Sequence, residues 1–376
     1  MARLGDVATY VNGYAFKPSD WSGTGLPIIR IQDLTGNSYQ TNRYNGEYDK
    51  RYEVNNGDIL ISWSASLGVY IWTGEKAVLN QHIFKVVFDK AEVNKSFFVH
   101  QVQNILEKAA SQAHGATMKH LTKPVFDALP FKLPSLAEQQ HIASVLDKLT
   151  GLISLRKQQL AKLDELVKAR FVEMFGDPMQ NSLEWPIHQL QEYILFLTSG
   201  SRGWAQYFTN DGEYFITIKN VKNCRITLDD VQYVIPPDNA ETKRTKVEEG
   251  DLLISITADL GRTGVITKAI ADYGAYINQH LTCIRLDRNV LHPLYVAYYM
   301  DSEAGKTQFQ LKNQNGVKAG LNFNAINSLN LMVPPLERQN CFVEFVDKVE
   351  RQKLTIQQSL DKLEVLRKSL MQEYFG

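Results

Sequence analysis

Residues 133–176 read LPSLAEQQHIASVLDKLTGLISLRKQQLAKLDELVKARFVEMFG, and residues 333–376 read VPPLERQNCFVEFVDKVERQKLTIQQSLDKLEVLRKSLMQEYFG. The two stretches match without a gap at an offset of 200 residues, so that Gln139 corresponds to Gln339 and Phe175 to Phe375. Identities at a single offset indicate a duplicated unit.

Each copy has the apolar spacing of a long helix. Apolar residues recur at alternating steps of three and four, which is the seam of a coiled coil. The seam residues are Ile142, Leu146, Leu149, Ile153, Leu160, Leu163 and Val167 in the first copy and Phe342, Val346, Val349, Ile356, Leu360, Leu363 and Leu370 in the second. Ser135 and Glu138 form a capping-box pattern, and Gly176 ends the first helix. Helices of this length span about 60 Å, and their matched seams predict antiparallel packing on each other. The alternative is that each helix packs on its own domain.

Bulk composition narrows the class of protein. A chain of 376 residues with 44% hydrophobic and 22% charged residues is typical of a globular protein with two or three domains. Lysine plus arginine equals aspartate plus glutamate at 41 each, which argues against an autonomous nucleic-acid binder. Three widely spaced cysteines favour a reducing cytoplasm. No apolar run is long enough to indicate secretion or a membrane span.

The stretches outside the helices, 1–132 and 178–332, resemble each other. The matching segments are LPIIRIQDLTGN (26–37) with EYFITIKNVKN (213–223), NNGDILISWSASLG (55–68) with EEGDLLISITADLG (248–261), and Asn-Gln-His at 80–82 with Asn-Gln-His at 278–280. The sequence therefore predicts an α+β chain in the order domain (1–132), helix (133–177), domain (178–332), helix (333–376). Similar frameworks with different loops suit two modules that bind different things.

No stretch predicts an active site. Gly305-Lys306-Thr307 imitates the end of a phosphate-binding loop, but Met300 stands where its first glycine would be. Asp238 and Glu241 are too close in sequence to converge on a magnesium ion from neighbouring strands. His82 and His280 both adjoin apolar strands, which favours a structural over a catalytic role. We predict no catalytic residue, no metal site and no bound cofactor.

Basic and amide side chains near turns are the remaining candidates for a function. Arginine and lysine hold phosphates and read guanine, whereas asparagine and glutamine read adenine. For any one of them the alternative is a solvated surface residue, but as a set they favour a polyanion. The candidates are Arg30, Gln32, Arg43, Lys50, Arg51, Ser64, Lys119 and His120 in the first domain and Lys219, Asn220, Lys222, Lys243, Arg244, Arg262, Lys312 and Lys318 in the second.

The pattern Pro-x-Leu-x-x-Gln opens a helix after each variable stretch, at 134–139 and again at 334–339. Together with the two strands beginning at Gly57-Asp58 and Gly250-Asp251, it resembles the specificity subunit of type I restriction–modification systems. The resemblance covers essentially the whole chain. It implies two similar α/β target recognition domains, separated by two long antiparallel helices that form a coiled coil with pseudo-twofold symmetry.

The resemblance also implies a function. Each recognition domain would read one half of a bipartite, asymmetric double-stranded DNA target, and the subunit would catalyse nothing. Two modification subunits would dock on it, bringing S-adenosylmethionine and adenine methylation. Restriction subunits, where the system has them, would bring ATP and magnesium. Two alternatives stay open: a specificity subunit for a fused restriction–methylation enzyme, and a coiled-coil scaffold for proteins without DNA binding.

Overall fold

The computed structural model describes residues 1–64, 66–112, 122–313 and 320–376. It combines helices with strands, which confirms the mixed class predicted from the sequence. The chain divides into two compact units. The first unit comprises residues 1–158 and 357–376, and the second comprises residues 159–356. The four-segment division predicted from the sequence stays a prediction.

The described part of the first unit contains ten short strands, four helices, the first part of a fifth, and the end of the long helix Leu336–Phe375. They are β1 (Ala2–Arg3), α1 (Leu4–Val7), β2 (Thr9–Asn12), β3 (Leu26–Ile29), α2 (Ile31–Leu34), β4 (Arg43–Tyr44), β5 (Glu53–Val54), β6 (Ile59–Ser62), β7 (Gly68–Ile71), β8 (Ala77–Leu79), β9 (Ile83–Val87), α3 (Lys95–Gln112), α4 (Lys123–Asp127), β10 (Pro130–Phe131) and α5 (Leu136–Phe175). Short 3-10 turns lie at Pro18–Asp20 and Lys50–Tyr52.

Two four-stranded sheets organise this unit. One is antiparallel, in the order β2-β9-β6-β7, and the other has the order β4-β3-β8-β5. Within the second sheet β3 and β8 run parallel, with Ile28 opposite Val78 and Ile29 opposite Leu79. All four of these side chains are buried. Continuous apolar runs are typical of strands buried on both faces.

The second unit repeats this plan with additional strands. Its elements are β11 (Ile187–Gln189), β12 (Ile194–Ser199), β13 (Phe208–Thr209), β14 (Glu213–Ile216), β15 (Val221–Lys222), β16 (Cys224–Ile226), β17 (Gln232–Val234), α6 (Ala240–Thr245), β18 (Leu252–Ser255), β19 (Thr263–Val265), α7 (Lys268–Tyr273), β20 (Ala275–Ile277), β21 (Leu281–Leu286), α8 (Pro293–Asp301), α9 (Glu303–Lys312), α10 (Phe323–Asn327), β22 (Asn330–Met332) and α11 (Leu336–Phe375), with 3-10 turns at Leu190–Tyr193, Trp204–Tyr207 and Ile218–Asn220.

The sheet orders of the two units correspond. The order β12-β21-β18-β19 matches β2-β9-β6-β7, and the parallel pair β14/β20 matches β3/β8. Each Gly-Asp pair forms a tight turn directly before a strand, β6 in the first unit and β18 in the second. Gly57 and Gly250 have φ of +85° and +83°, where glycine is favoured. Asp58 accepts the N–H of Asn55 and Asp251 that of Glu248, at 2.9 and 2.7 Å.

The helices α5 and α11 each contain 40 residues, and each contributes to both units. In the first unit the beginning of α5 shares a core with the end of α11, where Ile142 and Leu146 cluster with Phe375. Lys157 pairs with Glu364 at 3.0 Å. Gly151 lies inside α5, which continues through it without a break.

In the second unit the end of α5 packs on the beginning of α11. The fully buried Phe342 lies with its ring centroid 5.3 Å from that of Phe171 and 5.7 Å from that of Phe175. Lys353 interrupts the apolar seam, and its ammonium bonds Asp164 at 2.7 Å and Glu350 at 3.1 Å. Burial lowers the pKa of Lys353 and these bonds raise it, with a net rise, so the side chain stays charged.

The predicted seam residues divide into two groups by burial. Buried are Ile142, Leu146, Leu149, Ile153, Val167, Phe342, Val346, Val349 and Leu360, whereas Leu160, Leu163, Ile356, Leu363 and Leu370 are half-buried. The contacts of Phe375 in the first unit and of Phe342 in the second show that, within each unit, the beginning of one long helix lies beside the end of the other.

Glutamines of the repeated motif attach the long helices to their units. Gln139 is buried; its Oε1 accepts the N–H of Asn94 at 2.9 Å, and its Nε2 donates to the carbonyl of Pro134 at 2.9 Å. Asn94 in turn caps α3 by accepting the N–H of Phe97 at 3.0 Å. One side chain therefore holds the start of two helices.

Gln339 repeats this arrangement and extends it. Its Oε1 accepts the N–H of His292 at 2.8 Å, and its Nε2 donates to the carbonyls of Pro334 and Val290 at 2.8 and 3.0 Å. His292 caps α8. The duplicated motif thus has a structural reason for its glutamine in both copies.

Candidate nucleic-acid interface

The two units share one equivalent pair of parallel strands, β3/β8 in the first and β14/β20 in the second, and the second unit has a further parallel pair, β16/β19, in its other large sheet. Parallel strands end at the same edge of a sheet, and ligands commonly bind beyond such carboxyl ends. Residues 30–33 and 80–82 follow these strands in the first unit, and residues 217–220 and 278–280 follow them in the second. We call each set of residues the strand-end edge of its unit.

The two strand-end edges share one framework. The carboxylate of Asp33 accepts the N–H of Arg30 at 2.8 Å, and the amide oxygen of Asn220 accepts the N–H of Thr217 at 3.0 Å. These bonds fix the turn that follows the first strand in both units. They also account for Asn220, which is 1% exposed and donates to the carbonyls of Thr227 and Asp229. Asn220 was predicted as a base contact, and its amide is used inside the fold instead.

A glycine in each unit lets a neighbouring segment approach the edge. Tyr14 forms a parallel bridge with Asn80, and Ser201 forms one with Asn278. A Cβ at Gly13 would lie 2.0 Å from the carbonyl oxygen of Asn80, and at Gly200 it would lie 2.2 Å from that of Asn278. No larger residue fits at these two approaches.

In the second unit the edge opens into a cleft of about 490 Å³. It is lined by Thr217, Ile218, Lys219, Asp230, Gln232, Asn278 and His280. Most of these groups are polar, and both segments of the edge contribute. The cleft can therefore offer hydrogen-bond donors and acceptors to a polar ligand.

His280 orders one side of this cleft. Its Nε2 accepts the amide N–H of Gln279 at 3.1 Å, because an amide nitrogen can only donate. The proton on Nδ1 then bonds the hydroxyl of Thr257 at 2.6 Å. Both ring nitrogens of His280 therefore have hydrogen-bond partners within the unit, which agrees with the structural role predicted for this histidine.

In the first unit the edge carries different side chains. The guanidinium of Arg30 lies 5.5 Å from the ring centroid of Trp21 and donates to the carbonyl of Gln40 at 2.9 Å. Its side chain is only 16% exposed, so most of it is used within the unit. Gln32 lies on the same turn and is half-buried.

Other predicted contacts are already paired with neighbours. Arg43 bonds Glu75 at 2.8 Å, Arg51 pairs with Asp49 at 3.2 Å, and Lys312 donates to the hydroxyl of Ser328 at 2.9 Å. Arg262 pairs with Asp259, and Arg244 donates to Thr198 and to the carbonyl of Ser199. Ser64 is 5% exposed.

Four predicted lysines, in contrast, are exposed and have no carboxylate within 4 Å among the residues that the structure describes. They are Lys50, Lys219, Lys222 and Lys243. Unpaired surface cations suit a polyanion such as a nucleic-acid backbone.

Three other predicted contacts, Lys119, His120 and Lys318, lie outside the described residues. No group of His, Cys, Asp and Glu in the described ranges could hold a metal ion.

The sequence did not predict that Asp230 and Gln232 line a cleft, nor that Gln139 and Gln339 hold the helix starts. Gln232 and Asn278 carry no charge, and neither residue type alone indicates a binding site. The signal was the repeated Asn-Gln-His after an apolar strand, together with Gln139 and Gln339 at one offset.

A known protein family matches this chain twice. The model of the type I restriction modification DNA specificity domain matches residues 1–165 and again residues 192–365. This chain belongs to that family. Members are the non-catalytic specificity subunits of restriction–modification complexes, which agrees with the prediction that the chain is not an enzyme and recognises DNA sequence.

Relatives of the specificity family match along almost the whole chain. The EcoBI specificity subunit of Escherichia coli is 23% identical over 99% of this chain and 84% of its own. The StySPI specificity subunit of Salmonella potsdam is 23% identical over 100% of this chain and 88% of its own. The crystal structure of the type I S subunit from M. genitalium has a TM-score of 0.55 at 13% identity, covering 100% of this chain and 95% of that one. The structural likeness shows a shared fold. No helix in the described part of the chain is long and apolar enough to span a membrane.

Proposed function

We propose that this chain is the DNA-recognition subunit of a type I restriction–modification complex and reads a bipartite, asymmetric target. The observation that carries the proposal is the matched pair of strand-end edges. Both edges have the same parallel strands, the same close glycine approach and the same capped turn, but their exposed side chains differ. One framework with two sets of reading groups suits two unlike half-sites.

In this proposal residues 1–132 and 178–332 are the two target recognition domains, and residues 133–177 and 333–376 are helical spacers. The spacers pair as an antiparallel coiled coil with pseudo-twofold symmetry. The matched helix contacts within each unit support this arrangement. Two half-sites read from one face of B-DNA lie about one turn, ~34 Å, apart, and a 40-residue helix of about 60 Å is long enough for that purpose.

The proposal includes partners that the two-fold repetition suits. Two modification subunits dock on equivalent surfaces of the repeated chain, since duplicated halves present the same surface twice. They bring S-adenosylmethionine and methylate adenine in the target. Restriction subunits, where the system has them, add ATP- and magnesium-dependent cleavage. The unpaired lysines Lys50, Lys222 and Lys243 contribute phosphate contacts, and the neutral net charge implies that the partners supply others.

The test is to co-express the chain with a modification subunit and to sequence the methylated adenines. We expect one motif with two specific halves and an unread gap. Replacing residues 1–132 with the corresponding domain of a relative should change one half only. A change in both halves, or methylation without sequence preference, would contradict the proposal.

A further inference from the structure

One position of the strand-end edge is equivalent in the two units and carries different chemistry. Gln32 is the third residue after β3, and Lys219 is the third residue after β14. Each lies in a turn whose first N–H is capped from the residue that follows it, Asp33 or Asn220. The backbone therefore holds both side chains at the same place in the same framework.

Lys219 is presented to the cleft of the second unit. It lines the cleft with Gln232 and Asp230, and it is exposed. Asp230 is too distant for an ion pair, and no other described carboxylate lies within 4 Å of the ammonium. Because a lysine ammonium has three donors and no acceptor, it favours a ligand with closely spaced acceptors.

Gln32 occupies the equivalent place in the first unit. Its side-chain amide makes no hydrogen bond to any residue in the described ranges, although it is half-buried. The neighbouring Arg30 points elsewhere, with its guanidinium bonded to Gln40 and beside Trp21. An amide offers one donor and one acceptor side by side, which is a different pattern from that of an ammonium.

These two patterns match two purines. In the major groove guanine shows two acceptors, N7 and O6, whereas adenine shows one acceptor, N7, and one donor, N6. We propose that Gln32 and Lys219 are equivalent specificity-determining residues: Gln32 contacts an adenine in the half-site of the first unit, and Lys219 contacts a guanine in that of the second. This inference rests on the proposed function and names the bases at its two sites.

The experiment exchanges the two side chains and measures base preference. The complex with the modification subunit binds duplexes in which each position of each half-site is substituted in turn. With Lys219→Gln we expect the preferred base at one position of the second half-site to change from guanine to adenine, with the ratio of the two affinities shifting by roughly 5- to 150-fold. With Gln32→Lys we expect the reciprocal change at one position of the first half-site. Each variant leaves the other half-site unchanged and so serves as the control for the other.

Two further variants separate base contact from phosphate contact. Lys219→Arg should keep the guanine preference, because arginine reads the same two acceptors. Lys222→Gln, a nearby exposed lysine, should weaken all duplexes equally and lower the salt dependence of binding. Two outcomes would contradict the inference. In the first, Lys219→Gln weakens all duplexes equally, as Lys222→Gln does, which would mean that Lys219 contacts a DNA phosphate. In the second, Lys219→Gln abolishes binding and Lys219→Arg no longer prefers guanine.

The wild-type complex separates the two proposals. If it methylates no bipartite sequence, the proposed function fails. If it does so, and Lys219→Gln and Gln32→Lys both leave the motif unchanged, only the present inference fails.

Discussion

Replacing Gln339 with leucine should destabilise the second unit more than the same change at Gln139 destabilises the first. Leucine keeps most of the side-chain volume but removes every hydrogen bond. Gln339→Leu removes the partners of the His292 N–H and of the carbonyls of Val290 and Pro334. Gln139→Leu removes those of the Asn94 N–H and the Pro134 carbonyl.

The magnitude follows from the number of lost bonds. A buried backbone group left without a partner costs about 1–3 kcal/mol. Val290 and His292 are half-buried, and leucine gains some apolar burial, so the low end of the range applies. We expect the free energy of unfolding to fall by about 3 kcal/mol for Gln339→Leu and about 2 kcal/mol for Gln139→Leu.

Hydrogen exchange measures this change locally. The free energy of opening at the His292 amide should fall in Gln339→Leu and stay constant in Gln139→Leu, and the reverse should hold at Asn94. Denaturant unfolding gives the global values. A loss below about 0.5 kcal/mol for Gln339→Leu, or an equal effect on both amides in either variant, would refute the role given to these glutamines.

Three other outcomes are expected. Gly200→Ala should lower the free energy of unfolding by about 2–3 kcal/mol and weaken DNA binding, because the new Cβ would lie 2.2 Å from the carbonyl oxygens of residues 277 and 278. Gly23→Ala has open space around it and serves as the control, so thermal melts should show a loss of stability for Gly200→Ala and none for Gly23→Ala. Burial, with Arg288 and Arg225 acting against Asp347, lowers the pKa of His292, whose Nδ1 caps α8 through the Leu294 N–H at 3.2 Å. The stability contributed by His292 is therefore present above its unfolded pKa of about 6.5 and is lost as the pH falls through its lower folded pKa. Denaturation at several pH values should show the free energy of unfolding falling with pH over this range, and the fall should be smaller in His292→Asn. Inserting seven residues after Gln158 and seven after Ile356, where each long helix passes from one unit to the other, adds ~10.5 Å to each helix. The unread gap of the methylated motif should then lengthen by about three base pairs. A change in either half-site would contradict the role of these helices as spacers.

The long helices could be predicted closely because their signal is local. The repeats at 133–176 and 333–376 contain helices at Leu136–Phe175 and Leu336–Phe375. Periodicity, caps and the terminal glycine all act within a few residues of the chain. The same holds for the strands that begin at Gly57-Asp58 and Gly250-Asp251.

The interface could be predicted only in part, because charge alone does not show what a side chain contacts. Arg43 pairs with Glu75, which lies 32 positions away in the sequence, and no local pattern indicates that bond. Asn220 looks like a base contact, but the fold buries it as a cap. The cleft depends on β14 and β20 lying side by side although residues 217–274 separate them in the chain, so Lys219 and His280 come together only in the folded unit.

The first unit includes residues 357–376, and this affects the order in which the protein can mature. Phe97, which is buried in a core cluster of that unit, lies with its ring centroid 5.5 Å from that of Phe375. A ribosome adding roughly 5–20 residues per second needs on the order of ten to forty seconds to translate residues 159–356 between the two parts. During that interval the newly made first unit lacks its last helical segment and leaves aromatic surface uncovered. Chaperones and proteases therefore have a defined period in which to act on it, and a prematurely terminated product would never leave that state.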